Sequence, residues 1–585
     1  MKQVSVRAGF ALALLSGALL LSVSCSSGKS SGNSNAAGSN AGGADSGGAG
    51  GLSLGLGGSS GSLVAGGASN CGDTQTDPNN CGKCGNACGA GLGCVAGACT
   101  CPSYSSLCDG ACIPTSTDPK NCGACGKACT GKQACSAGVC SDSCLPGLSA
   151  CDNSCVDLQN DSAHCGDCAT ACPDKQGCAN GRCVDTVTVG ADPKTCAGGG
   201  DPISVGSGPQ HCLGTLAQTT FRWSVCSCTD LNVSAKLTTD AYDSTTGPYQ
   251  PGQLGGGVGV NRDVSNWSEA VDVGGTLWVS GSKGYSSSGP ASDVKADLHL
   301  GGSWKASTPF SVAGAAYVVG SLSGVTVKGK TSTVTSVDPA CDCNASQLVP
   351  VVDIVQAHRS PNNDNAAISL DEKVFEKPGT PLRLDLPCGN FYFTSIAPSL
   401  ALTIHVHGRT AIYVEGDVSA SSPLAFTLEP DAELDVFIGG TLKTSDTFVF
   451  GSPNYPALSR IYVGGTAKIA LSSDVRLAGE FYAANSEQVV WSAKNAIYGA
   501  VFAGNFRSSD VTDIHYDRGV LRAGDKCPPG GGGSGGGGGS ECGSCQDCHN
   551  QACKDGMCGS CTTDSDCCAP LVCDSGTCVP EVVVK

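Results

Sequence analysis

The chain has 585 residues, too many for a single hydrophobic core. Charged residues make up only 15% and glycine contributes 84 positions, so much of the length is turn, linker or tightly turning sheet. A formal net charge of −17 without any run of Lys or Arg excludes nucleic acid as an expected partner and suits a self-repelling extracytoplasmic surface.

At the N-terminus, Lys2 and Arg7 precede the apolar run "AGFALALLSGALLLSVS", which leads to Cys25. This resembles a bacterial lipoprotein signal. The resemblance implies that residues 1–24 are removed and that the Cys25 thiol is diacylated, anchoring the chain in a membrane. Ordinary secretion with cleavage nearby is the alternative. Residues 25–70 read as a Gly/Ser/Ala tether with little to bury. No later stretch has 18 consecutive apolar residues.

The 41 cysteines support the same compartment. The odd one is Cys25. The others fall in even blocks: six in 71–99, eight in 101–140, eight in 144–183, eight in 196–527 and ten in 542–578. Even local sets point to disulfides in an oxidising environment. Zinc binding by the C-x2-C pairs is the alternative.

Residues 71–183 form three cysteine repeats. Cys101, Cys108, Cys112, Cys122, Cys125, Cys129, Cys135 and Cys140 share one spacing with Cys144, Cys151, Cys155, Cys165, Cys168, Cys172, Cys178 and Cys183. That spacing is C-x6-C-x3-C-x9-C-x2-C-x3-C-x5-C-x4-C, and 71–99 repeats its last six positions. Such units carry few large apolar side chains and need covalent staples to fold. The pattern resembles the stigma-specific-protein type of cysteine repeat, which implies an extracellular module without an assigned activity.

Residues 184–526 carry strand signals nearly throughout. "IYVEGDV" (412–418), "VFIGGTL" (436–442) and "IYVGGTA" (461–467) align at spacings of 24 and 25 residues. Ile412, Val436 and Ile461 then share one column, and Val414, Ile438 and Val463 a second on the same face. "VDVGGTL" (271–277) and "LHLGGSW" (298–304) fit the same template. A strand, a Gly turn and a return every 20–25 residues describe a mainly β protein with a β-solenoid, or β-helix, as its central domain. A β-sandwich is the alternative. One helix is expected within 345–358, starting near Pro350, with Leu348, Val351, Val352 and Val355 at helical spacing. The stretch from "CNASQLVPVVDIVQAH" to "DIHYDRGVL" resembles a bacterial surface domain of unknown function, related to β-solenoids of pilus-assembly-like and polymer-forming proteins. That resemblance brings no catalytic residues.

Residues 527–541 are a Gly-rich linker and 542–585 a disulfide-rich knot, in which "CTTDSDCCAPLVCDSGTC" (561–578), with the adjacent pair Cys567-Cys568, resembles knottin or dickkopf-like modules. Cys545-Gln-Asp-Cys548-His549 spells a c-type haem attachment motif. The segment 541–585 contains no Phe, Tyr or Trp to shelter a porphyrin, so no cofactor is expected.

Candidate chemistry on the solenoid is sparse. Glu415 and Asp417 sit at a turn, where solvated carboxylates are common; Asp435 and Arg460 share a column. A polysaccharide lyase or glycosidase would need acid and base groups held in a cleft. His405 and His407 in "IHVHG" point to one face as two metal ligands would, with no third ligand evident beside them, so no metal is expected. The aromatic column Tyr413, Phe437 and Tyr462 faces outward and is expected to be covered by a segment such as 345–380, or else to bind sugar rings. The combined expectation is a lipid-anchored cell-envelope protein, in the outer membrane, with a structural or adhesive role. Its expected partners are an envelope polysaccharide or surface protein; a carbohydrate-active enzyme is the alternative.

Overall fold

The computed structural model describes residues 79–522 apart from 90–91, 96, 103, 188, 191–202, 207–211, 266–268, 377–378, 472–473 and 493–495; it also describes Thr74, 552–554, 557–559, 561–574 and 577–580. The signal segment, Cys25, the tether, the Gly-rich linker and the Cys545–His549 motif lie outside the described residues.

The central region is a parallel β-solenoid. Two long sheets of twelve and thirteen strands and a shorter third face share its coils. The first long sheet carries the aligned rungs: Ile412 pairs with Val436 and Val436 with Ile461, and Val414, Ile438 and Val463 pair in the same register. Both columns are buried, as period-two strands with one face inward require. Tight stacking explains the Gly-Gly turns. A Cβ on Gly440 would lie 2.5 Å from the Gly416 carbonyl oxygen, and one on Gly465 2.3 Å from that of Gly440. Leu298–Leu300 belongs to this sheet, but Val271–Val273 lies on the other long sheet, and the Gly-Gly turn after it leads to Leu277–Val279 in the first. The "VDVGGTL" segment is thus a rung one face earlier than its sequence alignment implied.

The chain does not wind from one end to the other. A first arm starts at Val225–Ser227 in the middle of the sheet and climbs outward to Thr331–Thr333. The chain then returns to the far end, at Gly389–Phe393, and a second arm winds back to Val501–Ala503. The arms fuse on all three faces, with Val225 beside Val501, Leu231 beside Phe506 and Leu237 beside Thr512.

The return segment, 334–376, runs along the outer face of the first sheet. Trp278 Nε1 donates to the Asp338 carbonyl at 2.7 Å and Trp223 Nε1 to that of Ala340 at 3.0 Å. Cys341 and Cys343 are bonded to Cys226 and Cys228. Farther on, the Val349 N–H donates to Tyr482 Oη and the His358 ring stacks on Tyr413 at 3.8 Å. The strap therefore covers the aromatic column, and Tyr413, Phe437 and Tyr462 are fully buried. The expected helix is present as α2 (Val351–Ala357), with Pro350 at its N-cap. It buries Val351, Ile354 and Val355 and leaves Val352 outside, because a seven-residue helix on a sheet has one narrow contact stripe. A second helix, α1 (Leu213–Thr220), has no sequence expectation; "LGTLAQTT" lacks a side-chain cap, and its burial, not its propensity, holds it.

The cysteine repeats are short hairpins linked by disulfides. Each eight-cysteine unit has the same pairing: first to third, second to fifth, fourth to seventh, sixth to eighth. In one this gives Cys101–Cys112, Cys108–Cys125, Cys122–Cys135 and Cys129–Cys140. In the next it gives Cys144–Cys155, Cys151–Cys168, Cys165–Cys178 and Cys172–Cys183. The pairs Cys81–Cys94 and Cys88–Cys99 repeat the last two links.

Candidate functional site: a cavity between the cysteine repeats and the solenoid flank

Two cysteine repeats lie along the second long sheet. Arg383 is the main anchor. Its Nη1 donates to the Asn160 carbonyl at 2.6 Å and to that of Cys178 at 3.1 Å. Thr403 donates to Asn160 Oδ1 at 2.9 Å, and Ser136 to Asn454 Oδ1 at 3.0 Å. Between these contacts is a cavity of about 1190 Å³, walled by Pro146–Leu148, Asp157 and His164 from the repeats and by Asp385, His405, His407 and Glu429 from the solenoid.

The solenoid wall is built by register. Asp385 pairs with His405 across neighbouring strands, and His405 pairs with Thr427 on the next. His407 and Glu429 continue the pattern just past the strand ends, where their N–H groups donate to the Leu386 and Val406 carbonyls. Side chains of one parity therefore stack on one face, and four potential ligands from three rungs meet. His407 Nε2 is 3.1 Å from Asp385 Oδ1, and His407 Nδ1 is 3.5 Å from Glu429 Oε1. His405 Nε2 is 3.3 Å from Glu429 Oε1, and His405 Nδ1 is 2.8 Å from Thr427 Oγ1.

Arg383 braces this group, with Nε 3.1 Å from each Asp385 oxygen and Nη2 2.9 Å from Oδ1. Burial raises the Asp385 carboxyl, yet the His407 hydrogen bond and the Arg383 charge outweigh it and hold the group well below the usual carboxylate range. Burial likewise opposes ionisation of Glu429, but the His405 hydrogen bond and nearby positive charge keep it at about 2. Burial, reinforced by Arg383, pushes His405 down. Burial also pushes Asp157 on the opposite wall up.

The sequence offered no third ligand beside His405 and His407. The structure corrects this: the Asp385, His405 and His407 donor atoms lie within 4.8 Å of one another. Asp385 escaped notice because "LRLDLPCG" lacks the Gly-Gly turn that marks the aligned rungs, so its register was not visible. Other sequence candidates lie elsewhere. Glu415 is engaged by Arg359 and the Tyr392 hydroxyl, and Asp417 accepts from the Thr441 N–H at 2.9 Å. Asp435 and Arg460 are wholly buried beneath other segments.

No helix of the described residues is long and apolar enough to cross a membrane. No curated protein and no solved structure matches the chain. One family does: residues 344–522, the returning strap and the second arm, match a domain of unknown function, DUF7305.

Proposed function

We propose that this chain is a cell-envelope protein, anchored through a lipid on Cys25, whose role is structural or adhesive and whose ligand is an envelope polysaccharide or a surface-protein segment. The cavity carries this reading. It is large and lies between two rigid walls, one stapled by disulfides and one built of stacked strands. Rigid walls lower the ordering cost of binding, and mixed polar and apolar linings suit sugars or peptides. The dense disulfides support an oxidising compartment. A binding array of envelope glycans and surface proteins, probed with the full chain, tests it. Specific capture that is lost in Asn160→Arg, which fills the cavity margin, is the expected result; no capture above background refutes the reading. Fractionation tests the anchor: Cys25→Ser is expected to leave the membrane fraction.

One observation favours a carbohydrate-active enzyme instead. Asp157, pushed up by burial, lines the same cavity as Glu429, held at about 2, and divergent carboxyls can share acid and base roles. Asp157, however, accepts from Gln159 N–H at 2.9 Å and Asn160 Nδ2 at 2.7 Å, as the carboxylate of a turn does. Release of reducing or unsaturated sugar ends from envelope polysaccharides, abolished in Asp157→Asn, would establish the enzyme.

A further inference from the structure

We propose that Asp385, His405 and His407, with Glu429 beside the two imidazoles, form a binding site for one divalent transition-metal cation of the zinc type.

The first argument is convergence. One donor atom from each of Asp385, His405 and His407 lies within 4.8 Å of the others. His407 Nε2 is 3.1 Å from Asp385 Oδ1, and Glu429 Oε1 stands beside both rings, 3.3 Å from His405 Nε2 and 3.5 Å from His407 Nδ1. Imidazole nitrogens and carboxylate oxygens are the donors such a cation takes.

The second argument is size. Zinc takes nitrogen at about 2.0–2.1 Å and carboxylate oxygen at about 2.0–2.2 Å in a tetrahedron, which sets its ligands roughly 3.3–3.5 Å apart. The 3.1 Å between His407 Nε2 and Asp385 Oδ1 and the 3.3 Å between His405 Nε2 and Glu429 Oε1 lie close to that spacing. Two imidazoles favour zinc, copper or nickel over calcium or magnesium, which prefer all-oxygen sites.

The third argument is support around the ligands. The Arg383 fork fixes the Asp385 plane, and Thr427 Oγ1 orients the His405 ring through Nδ1. The His405 and His407 side chains are 12% and 10% exposed, whereas Glu429 is 45% exposed. Glu429 is therefore the most exposed of the four. A bound cation would tie three consecutive rungs together and present its outer face to whatever occupies the cavity.

The test uses the intact, oxidised chain stripped with EDTA. Calorimetric titration with Zn²⁺ is expected to give one equivalent per chain. Affinity is expected to fall at least about 10-fold in Asp385→Asn and about 100-fold or more in His405→Gln/His407→Gln, at or above the range seen when only supporting partners are removed. Co²⁺ substituted into the wild-type chain should show the visible bands of a tetrahedral nitrogen/oxygen site, without the near-ultraviolet absorption of cobalt–thiolate bonds. The cobalt spectrum needs no variant, so it decides even if the histidine variants fail to fold. Absence of saturable zinc binding, a thiolate band, or equal affinity in folded variants would overturn the proposal.

Discussion

Arg460 and Asp435, opposed across adjacent rungs, form a two-pronged ion pair with no solvent exposure: Nε donates to Oδ1 at 2.7 Å and Nη2 to Oδ2 at 2.5 Å. Arg460 also donates to Glu433 Oε2 at 3.0 Å and to the Ala457 carbonyl at 3.1 Å. The column these residues share is readable in the sequence; their burial is not. It arises because the chain just before Arg460 folds over it, the Ala457 carbonyl accepting from its Nη1, while α1 packs Phe221 on Tyr462 along the same strand.

Removing one partner of this pair leaves an uncompensated buried charge. Arg460→Met is expected to cost about 3–5 kcal/mol. Arg460→Met combined with Asp435→Leu is expected to cost less than the sum of the two single changes, since the stranded charge goes with it. Denaturant unfolding of the four proteins of the cycle measures this. Additive losses would show that the pair is not coupled.

The aromatic column makes a graded prediction. Phe437 stacks on Tyr462 at 4.6 Å beneath the strap, whereas Tyr317 stacks on His299 at 4.7 Å where it stays half-buried. Phe437→Ala should therefore cost about 3–5 kcal/mol, and Tyr317→Ala about 1 kcal/mol or less. Thermal unfolding ranks the two; an equal cost would mean that the strap does not cover Phe437.

Glu480 predicts a pH dependence. It is wholly buried, and burial, with the nearby Asp517 charge, pushes its carboxyl well above the usual carboxylate range. A folded value above the unfolded one, about 4.3, means that the fold binds the proton more tightly. Its contribution to stability is complete below that unfolded value and is lost as the pH rises toward the folded one. Glu480→Gln should thus gain stability relative to the native chain on going from pH 4 to pH 8. Parallel denaturation curves at the two values check the sign, and a constant difference would rule out a protonated Glu480.

The solenoid was legible because its ladders are local. Ile412, Val436 and Ile461 recur within one repeat length, so hydrophobic alternation and the Gly-Gly turns reveal both the coil and its inward face. The order of the arms was not legible. Val225 lies beside Val501, and no periodic signal links segments so far apart. The candidate site failed to appear for the same reason. His405 and His407 are visible as a pair, but Asp385 and Glu429 join them only through register with strands on either side. Arg383 reaches Asn160 and Cys178 only once a cysteine repeat lies against the solenoid.

That long-range closure makes the last prediction. Cys226–Cys341 and Cys228–Cys343 clasp the return strap to the rung where the two arms meet, each closing a separation of 115 residues. By loop-closure entropy, a link of that span stabilises by about 4–5 kcal/mol, whereas one spanning 11 residues gives nearer 3 kcal/mol. The location of the loss should differ as well. Replacing all four cysteines of the two clasps with Ser frees the strap that covers the aromatic column, so the unfolding transition of the solenoid should drop. Cys172→Ser/Cys183→Ser should loosen its own repeat and leave that transition nearly unchanged, since hairpins within the repeat, not the ladders, depend on it. Scanning calorimetry, combined with circular dichroism of the β signal, separates the two. If both variants lowered the solenoid transition equally, the strap would not be acting as a clasp, and the arms would be held together by their strand pairing alone.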